Sequence, residues 1–255
     1  MKEGLKMNER YEELGNWDFS NINLIEEHEN NWDMYEEIKK NSNEKSLVLD
    51  LGTGGGQKVF SKMPKNIGMV IGTDLSPKMI ETAQENLIKH PEVKAKFLVM
   101  NNLKLEFPDG LFDIVSARHT VINAKEIYRV LNEKGVLILR GVDKYDCWEL
   151  KELFGGGQCF NDKVAISKQE FEDIKNAGFK KVQLIELKAN EYYKTKDDLF
   201  ALLLKVPILD GFSVKLRNEE ILNTNMDLFE KYVKQNTTPK GILLKRVYYG
   251  IIATK

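Results

Sequence analysis

The chain predicts an α/β fold in three layers, with helices on both faces of a mostly parallel sheet. Three observations carry this. Five short runs rich in Val, Ile and Leu alternate with helical patterns between residues 47 and 139. Those runs are apolar without alternation, as in strands covered on both faces. At 42% hydrophobic and 30% charged content, 255 residues are enough to bury one large core.

The elements follow in order. Residues 1–44 read as an N-terminal helical cap, with an amphipathic helix over 23–40 that carries Trp32 and Tyr35, and with Trp17 nearby. Strands are expected at 47–51, 69–74, 96–100, 112–117 and 135–139, and helices at 55–63, 77–90 and 123–131. Ser76 can cap the second helix, Pro77 suits its first position, and His90-Pro91 can stop it. Strand, helix, strand repeated this way implies right-handed crossovers.

Beyond residue 139 the pattern loosens. A helix is expected at 144–154, then a glycine-rich and mobile loop at 155–162, then a helix at 167–179 capped by Ser167 and ended by Gly178. A strand at 181–189 and a final strand at 241–254 flank a helical lid insertion over 191–240, with helices at 196–205 and 219–234. The whole chain, 1–255, reads as a single domain. Tyr192, Tyr193, Phe200, Leu203, Leu204, Pro207 and Phe212 of the lid either line an apolar site or pack as peripheral core.

Composition narrows the function. Lys and Arg number 38 against 39 Asp and Glu, a net charge of -1, so no global positive field gathers a nucleic acid. Cys147 and Cys159 lack the paired spacing of a zinc site, and reduced thiols in a cytoplasmic protein are expected. The N-terminus has no apolar stretch of export type. The longest apolar run, 200–209, is interrupted by Lys205 and Pro207 and falls short of the roughly 20 residues that cross a bilayer.

The most informative stretch is LVLDLGTGGGQK, where a strand runs straight into Gly52, Thr53, Gly54, Gly55 and Gly56. Such a turn lets a nucleotide-like ligand touch backbone at the carboxyl edge of the sheet. The next strand ends in Asp74, whose carboxylate is placed to accept from both hydroxyls of a ribose. A dinucleotide fingerprint needs glycine or alanine where this chain has Gln57. Asp50, inside the strand end, would repel a pyrophosphate and suits a ligand with an ammonium group and a sulfonium.

With these residues in view, the chain resembles the class I S-adenosylmethionine-dependent methyltransferases. Four blocks carry the likeness in order: LVLDLGTGGG, GTDLSPKMIETAQEN, FPDGLFDIVSARH and EIYRVLNEKGVLIL. The resemblance implies a Rossmann-like sheet of seven strands in the order 3-2-1-4-5-7-6, with strand seven antiparallel and the lid between strands six and seven. It implies S-adenosyl-L-methionine as cofactor and S-adenosyl-L-homocysteine as product. Gly52, Thr53 and Gly54 then lie under the methionine part and Asp50 near its ammonium. Asp74 takes the ribose, with Leu75 and Met79 against the adenine. The family's adenine-binding acid falls at Asn101, a departure, so Asn101 and the Asn102 backbone are expected to share that contact. Leu103, Ser116 and Arg118 complete the expected cofactor set.

Methyl transfer from sulfonium needs chiefly alignment, with a base for acceptors of high pKa. His119, just beyond the fourth strand, is the candidate base; the other reading is a neutral imidazole that shapes the pocket. Arg118 can steer the cofactor carboxylate or an acidic substrate, or pair with a surface acid such as Glu126. No Asn-Pro-Pro-Tyr or Asp-Pro-Pro-Tyr follows that strand and no cysteine lies there, so a small-molecule acceptor is expected. The alternatives are a non-catalytic cofactor-binding module and, behind it, an RNA methyltransferase or a nicotinamide-dependent oxidoreductase.

Overall fold

The computed structural model describes residues 21–209, 212 and 219–255. Its strands are β1 (Leu24–His28), β2 (Leu47–Leu51), β3 (Met69–Asp74), β4 (Ala95–Val99), β5 (Phe112–Arg118), β6 (Leu131–Val142), β7 (Lys181–Tyr193), β8 (Thr237–Thr238) and β9 (Gly241–Thr254). Its helices are α1 (Met34–Asn41), α2 (Gln57–Lys62), α3 (Pro77–Lys89), α4 (Ala124–Val130), α5 (Trp148–Phe154), α6 (Ile166–Asn176), α7 (Lys196–Lys205) and α8 (Glu219–Asn236).

The strands form one sheet in the order β4-β3-β2-β5-β6-β9-β7-β1, with β8 beside β9. Numbered from β2 and without β1 and β8, this is the order 3-2-1-4-5-7-6, and β9 runs antiparallel to both its long neighbours. The strand order reverses between β2 and β3 on one side and β5 on the other, which opens a crevice at the carboxyl ends of the parallel strands.

Successive side chains of a strand point to opposite faces, and each face has its own core. Leu49, Val115, Leu137 and Ile251 pack with Ile127 and Val130 of α4 and Ile174 of α6. Val48, Ile114 and Ile138 pack on the other face with Met34 and Ile38 of α1, Val59 of α2, and Ile80 and Ala83 of α3. Each such Val, Leu, Ile or Met side chain, fully buried, contributes about 1.5–3 kcal/mol. A third cluster joins Leu150, Tyr193, Leu199, Leu203, Phe212 and Phe229, bringing together α5, α7, α8 and the ends of β7 and β9. Phe200 lies edge-on to Phe212 at 5.7 Å and tilted to Phe229 at 5.5 Å. Tyr193, Phe212 and Phe229, with the half-buried Phe200, therefore serve this core.

The N-terminal segment corrects the expectation of one helix over 23–40. Residues 24–28 pair antiparallel with β7, Leu24 opposite Tyr193 and His28 opposite Ala189. The edge of β7 offers a ladder of unpaired backbone groups, and pairing satisfies it. Helix α1 begins only after Asp33, whose carboxylate accepts from the N–H groups of Tyr35 and Glu36. Trp17 lies outside the described residues. Ser167 does not cap α6, which starts one residue earlier after Ala165; instead the Asp143 carboxylate accepts from the Ser167 N–H at 3.2 Å. The glycine-rich loop is tied down, since the Gln158 N–H donates to the Ile208 carbonyl and Lys151 Nζ donates to the Gln158 carbonyl.

Candidate active site

Between β2 and α2 the chain takes positive φ at Gly52, Gly54 and Gly56. At Gly52 the reason is close packing: an added Cβ would stand 2.6 Å from Thr120. At Gly54 it is the reverse, because no atom lies within 4 Å of an added Cβ and the backbone faces open space. The Gly54 N–H donates to Asp74 Oδ2 at 3.0 Å, and the Ser76 N–H donates to Asp74 Oδ1 at 3.0 Å. Asp74 thus ties the glycine loop to the end of β3. Each of its oxygens still has a lone pair to offer. Burial raises the Asp74 pKa, and the Ser76 and Gly54 N–H groups oppose that rise.

Asp50 and Ser116 are register partners on β2 and β5, and the Ser116 hydroxyl donates to Asp50 Oδ1 at 2.7 Å. Burial pushes the Asp50 carboxyl up, opposed first by that hydroxyl. The Thr53 hydroxyl is buried without a hydrogen-bond partner. A buried carboxylate, an orphaned hydroxyl and an open glycine backbone fit a ligand that brings an ammonium group.

The residues expected around adenine separate into two groups. Leu75 and Leu103 are half-exposed, apolar surface that a stacked base would cover, whereas Met79 is 1% exposed and offers almost none. Asn101 Oδ1 accepts from the Leu103 N–H at 2.9 Å, so its amide is engaged in its own turn. The Asn102 side chain is a strut: it accepts from the Thr73 hydroxyl and donates to the Thr120 hydroxyl. It therefore braces β3 against the segment after β5.

His119 follows β5 at φ 54°, a left-handed conformation uncommon for a residue with a Cβ. Its N–H donates to the Arg140 carbonyl, and its Nε2 lies 2.7 Å from Arg140 Nη1. A guanidinium has no acceptor, so Nε2 holds the accepting lone pair and the ring is neutral, with its proton on Nδ1. Burial, then the Arg118 and Arg140 charges, keeps the imidazole pKa well below its usual value. The ring stacks on Tyr248 at 5.6 Å, and the Arg140 guanidinium stands 4.0 Å from the same ring. The imidazole is thus neutral, with its Nε2 lone pair engaged by Arg140.

Arg140 and Arg246, which the sequence did not single out, lie on the neighbouring strands, and the expected aromatics Trp32 and Tyr35 approach from before and on α1. Arg140 pairs in register with Arg118 on β5 and with Gly250 on β9. Trp32 covers Gly250, where an added Cβ would meet its ring at 2.7 Å. Tyr35 stands near Asp50, Arg118 and Arg140, and burial, with the Asp50 charge, holds its phenol well above the usual range. Behind Tyr248, Arg246 spans Asp146 and Glu191 with ion pairs of 2.9 Å each. The sequence signal for Arg140 was its place directly after the apolar run 135–139, a basic residue towards the carboxyl end of a strand.

Comparison with known proteins agrees with this geometry. Residues 49–139 match the methyltransferase domain family. The chain is 34% identical over 111 residues to a 2-methyl-6-phytyl-1,4-hydroquinone methyltransferase of Synechocystis, covering 40% of this chain and 33% of that protein. It is 27% identical over 146 residues to a ubiquinone/menaquinone biosynthesis C-methyltransferase of Paraburkholderia phytofirmans, covering 51% of this chain and 60% of the relative. The matched stretches thus span less than two thirds of either relative. The YcgJ protein of Bacillus subtilis shares the fold, with a TM-score of 0.57 at 18% identity over 87% of this chain and 97% of that one. With the strand order, the glycine loop and the acid ending β3 in their places, residues 49–139 form a methyltransferase domain, and the chain is similar in sequence and fold to class I S-adenosylmethionine-dependent methyltransferases.

Proposed function

We propose that the protein transfers a methyl group from S-adenosylmethionine to the oxygen, nitrogen or carbon of a small molecule, with a hydroquinone-like ring as the favoured acceptor class. The observation that carries the reading is Asp74, held by the Gly54 N–H beneath an open glycine backbone. The cofactor supplies, when bound, an electrophilic methyl on a good leaving group. Asp74 has the free lone pairs to take the ribose hydroxyls, and Asp50 with the Thr53 hydroxyl suits the ammonium. Leu75 and Leu103 cover the base, while the Asn101 amide and the Asn102 backbone border its amino edge. Ser116 fixes the Asp50 rotamer. His119 acts as a positioning residue that holds Arg140. The two relatives whose names specify quinone-type acceptors support the acceptor class.

Calorimetry with S-adenosylhomocysteine tests the binding half. Asp74→Ala removes charge-assisted contacts of about 1.5–3 kcal/mol, so affinity should fall roughly ten- to hundredfold. Methyl transfer from labelled cofactor onto a hydroquinone panel tests the chemical half. Binding with no transfer to any acceptor class would restore the alternative, a cofactor-binding module.

A further inference from the structure

Two arginines without a carboxylate partner stand side by side on the Asp50 face of the sheet. Arg118, the last residue of β5, and Arg140, near the end of β6, are register partners on adjacent parallel strands, about one strand spacing of roughly 4.8 Å apart at the backbone. Asp50 pairs with Ser116, two residues before Arg118, so all four side chains leave the same face. The other two described arginines are neutralised: Arg129 by Glu126 and Asp109, and Arg246 by Asp146 and Glu191. Among the described residues Arg118 makes no hydrogen bond or ion pair, and Arg140 meets no carboxylate but does meet the neutral His119 and the ring and hydroxyl of Tyr248. Asp50 feels the Arg118 charge but is bonded to Ser116 and forms no ion pair. Tyr248 lies against Arg140, Tyr35 is close enough to feel both charges, and Trp32 covers the strand beside Arg140.

Like charges held this close are unfavourable unless an anion lies between them, and partial burial deepens the penalty. The fold supplies no such anion from its own described side chains. Aromatic rings near two planar guanidiniums suit a flat ligand with an oxygen charge, because guanidinium donates in a bidentate fork.

We infer that the acceptor pocket holds its ligand as an oxyanion, a phenolate, enolate or carboxylate of a flat molecule, on the Arg118 and Arg140 guanidiniums. The word acceptor rests on the methyl-transfer reading above; the anion site does not. An acidic hydroxyl bound this way releases its proton to solvent, and no side chain has to take it. That accounts for a site whose only nearby histidine has its lone pair engaged by Arg140.

The test uses the full chain saturated with S-adenosylhomocysteine, and titrates benzoate, its neutral counterpart benzamide, and 4-nitrophenol. Benzoate should bind at least about tenfold more tightly than benzamide, and 4-nitrophenol should show more of its coloured phenolate when bound than when free at the same pH. Arg140→Gln should lower benzoate affinity about tenfold while leaving benzamide and S-adenosylhomocysteine unaffected, and Arg140→Lys should restore most of it. Equal affinity for benzoate and benzamide, or benzoate binding that ignores both Arg118→Gln and Arg140→Gln, overturns the inference. So does binding of neither aromatic to a protein that binds S-adenosylhomocysteine. Displacement of benzoate by S-adenosylhomocysteine would assign the pair to the cofactor carboxylate instead. Benzoate bound by a protein that rejects S-adenosylhomocysteine would sink the methyl-transfer reading and leave the anion site standing.

Discussion

Thr53 sits in the glycine loop with its hydroxyl buried and unpaired, beside a carboxylate that is itself buried. An unmade hydrogen bond of this kind costs about 1–3 kcal/mol, which is tolerable where a ligand later makes it. Thr53→Val keeps the branched shape and removes the oxygen. The variant should melt a few degrees higher without ligand, and bind S-adenosylhomocysteine roughly tenfold more weakly. Unchanged affinity would take the hydroxyl out of the site. At this scale the places of Asp50 and Asp74 at the ends of adjacent strands were legible, because an apolar run that closes on an acid is a local pattern. The engagement of Asn101 and His119 was not legible, because a side-chain hydrogen bond depends on which backbone group or guanidinium the fold brings within 3 Å.

Helix α6 packs on β9 through Ile174 and Ile251, with the Tyr249 hydroxyl donating to Glu170 Oε2 at 2.8 Å. Burial raises the Glu170 pKa to about 7. Its folded form therefore keeps a proton that the unfolded chain loses near pH 4.5, so stability falls as pH rises from about 4.5 to 7 and then levels. Glu170→Gln can still accept from Tyr249. It should flatten that decline and add about 1–2 kcal/mol at pH 8, with no gain at pH 4; urea unfolding at the two pH values checks it. An equal gain at both would detach the effect from the carboxyl. Elements were read well where a start signal is local, as with Ser76-Pro77 before α3, whose hydroxyl accepts from the Met79 N–H. Residues 24–28 were misread because a polar segment becomes a strand only when a free edge such as that of β7 lies beside it.

Across the molecule, the ends of β7 and β9 and the turn before α5 are held together by Arg246, with Asp146 also accepting from the Val247 N–H and Glu191 from the Tyr193 hydroxyl. Burial opposes the Arg246 charge, yet the Asp146 and Tyr248 groups keep its pKa well above the ordinary value. Arg246→Met leaves two buried carboxylates uncompensated and should cost roughly 3–5 kcal/mol of stability, read by urea unfolding. Adding Asp146→Asn and Glu191→Gln to it should recover part of that loss; no recovery would mean that the packing of the arginine stem, not its charge, was at stake.

The sequence by itself determined the alternation of β2 to β6 with their helices, the glycine turn and the acids at its two strand ends, since each depends on periodicity or on φ preferences within a dozen residues. Only the tertiary structure decided that Arg118 and Arg140 stand together, that Arg140 occupies the His119 lone pair, and that the inserted aromatics form core. Those facts arise from sheet register between segments more than twenty residues apart, and register is set by the packing of whole faces, which no local pattern encodes.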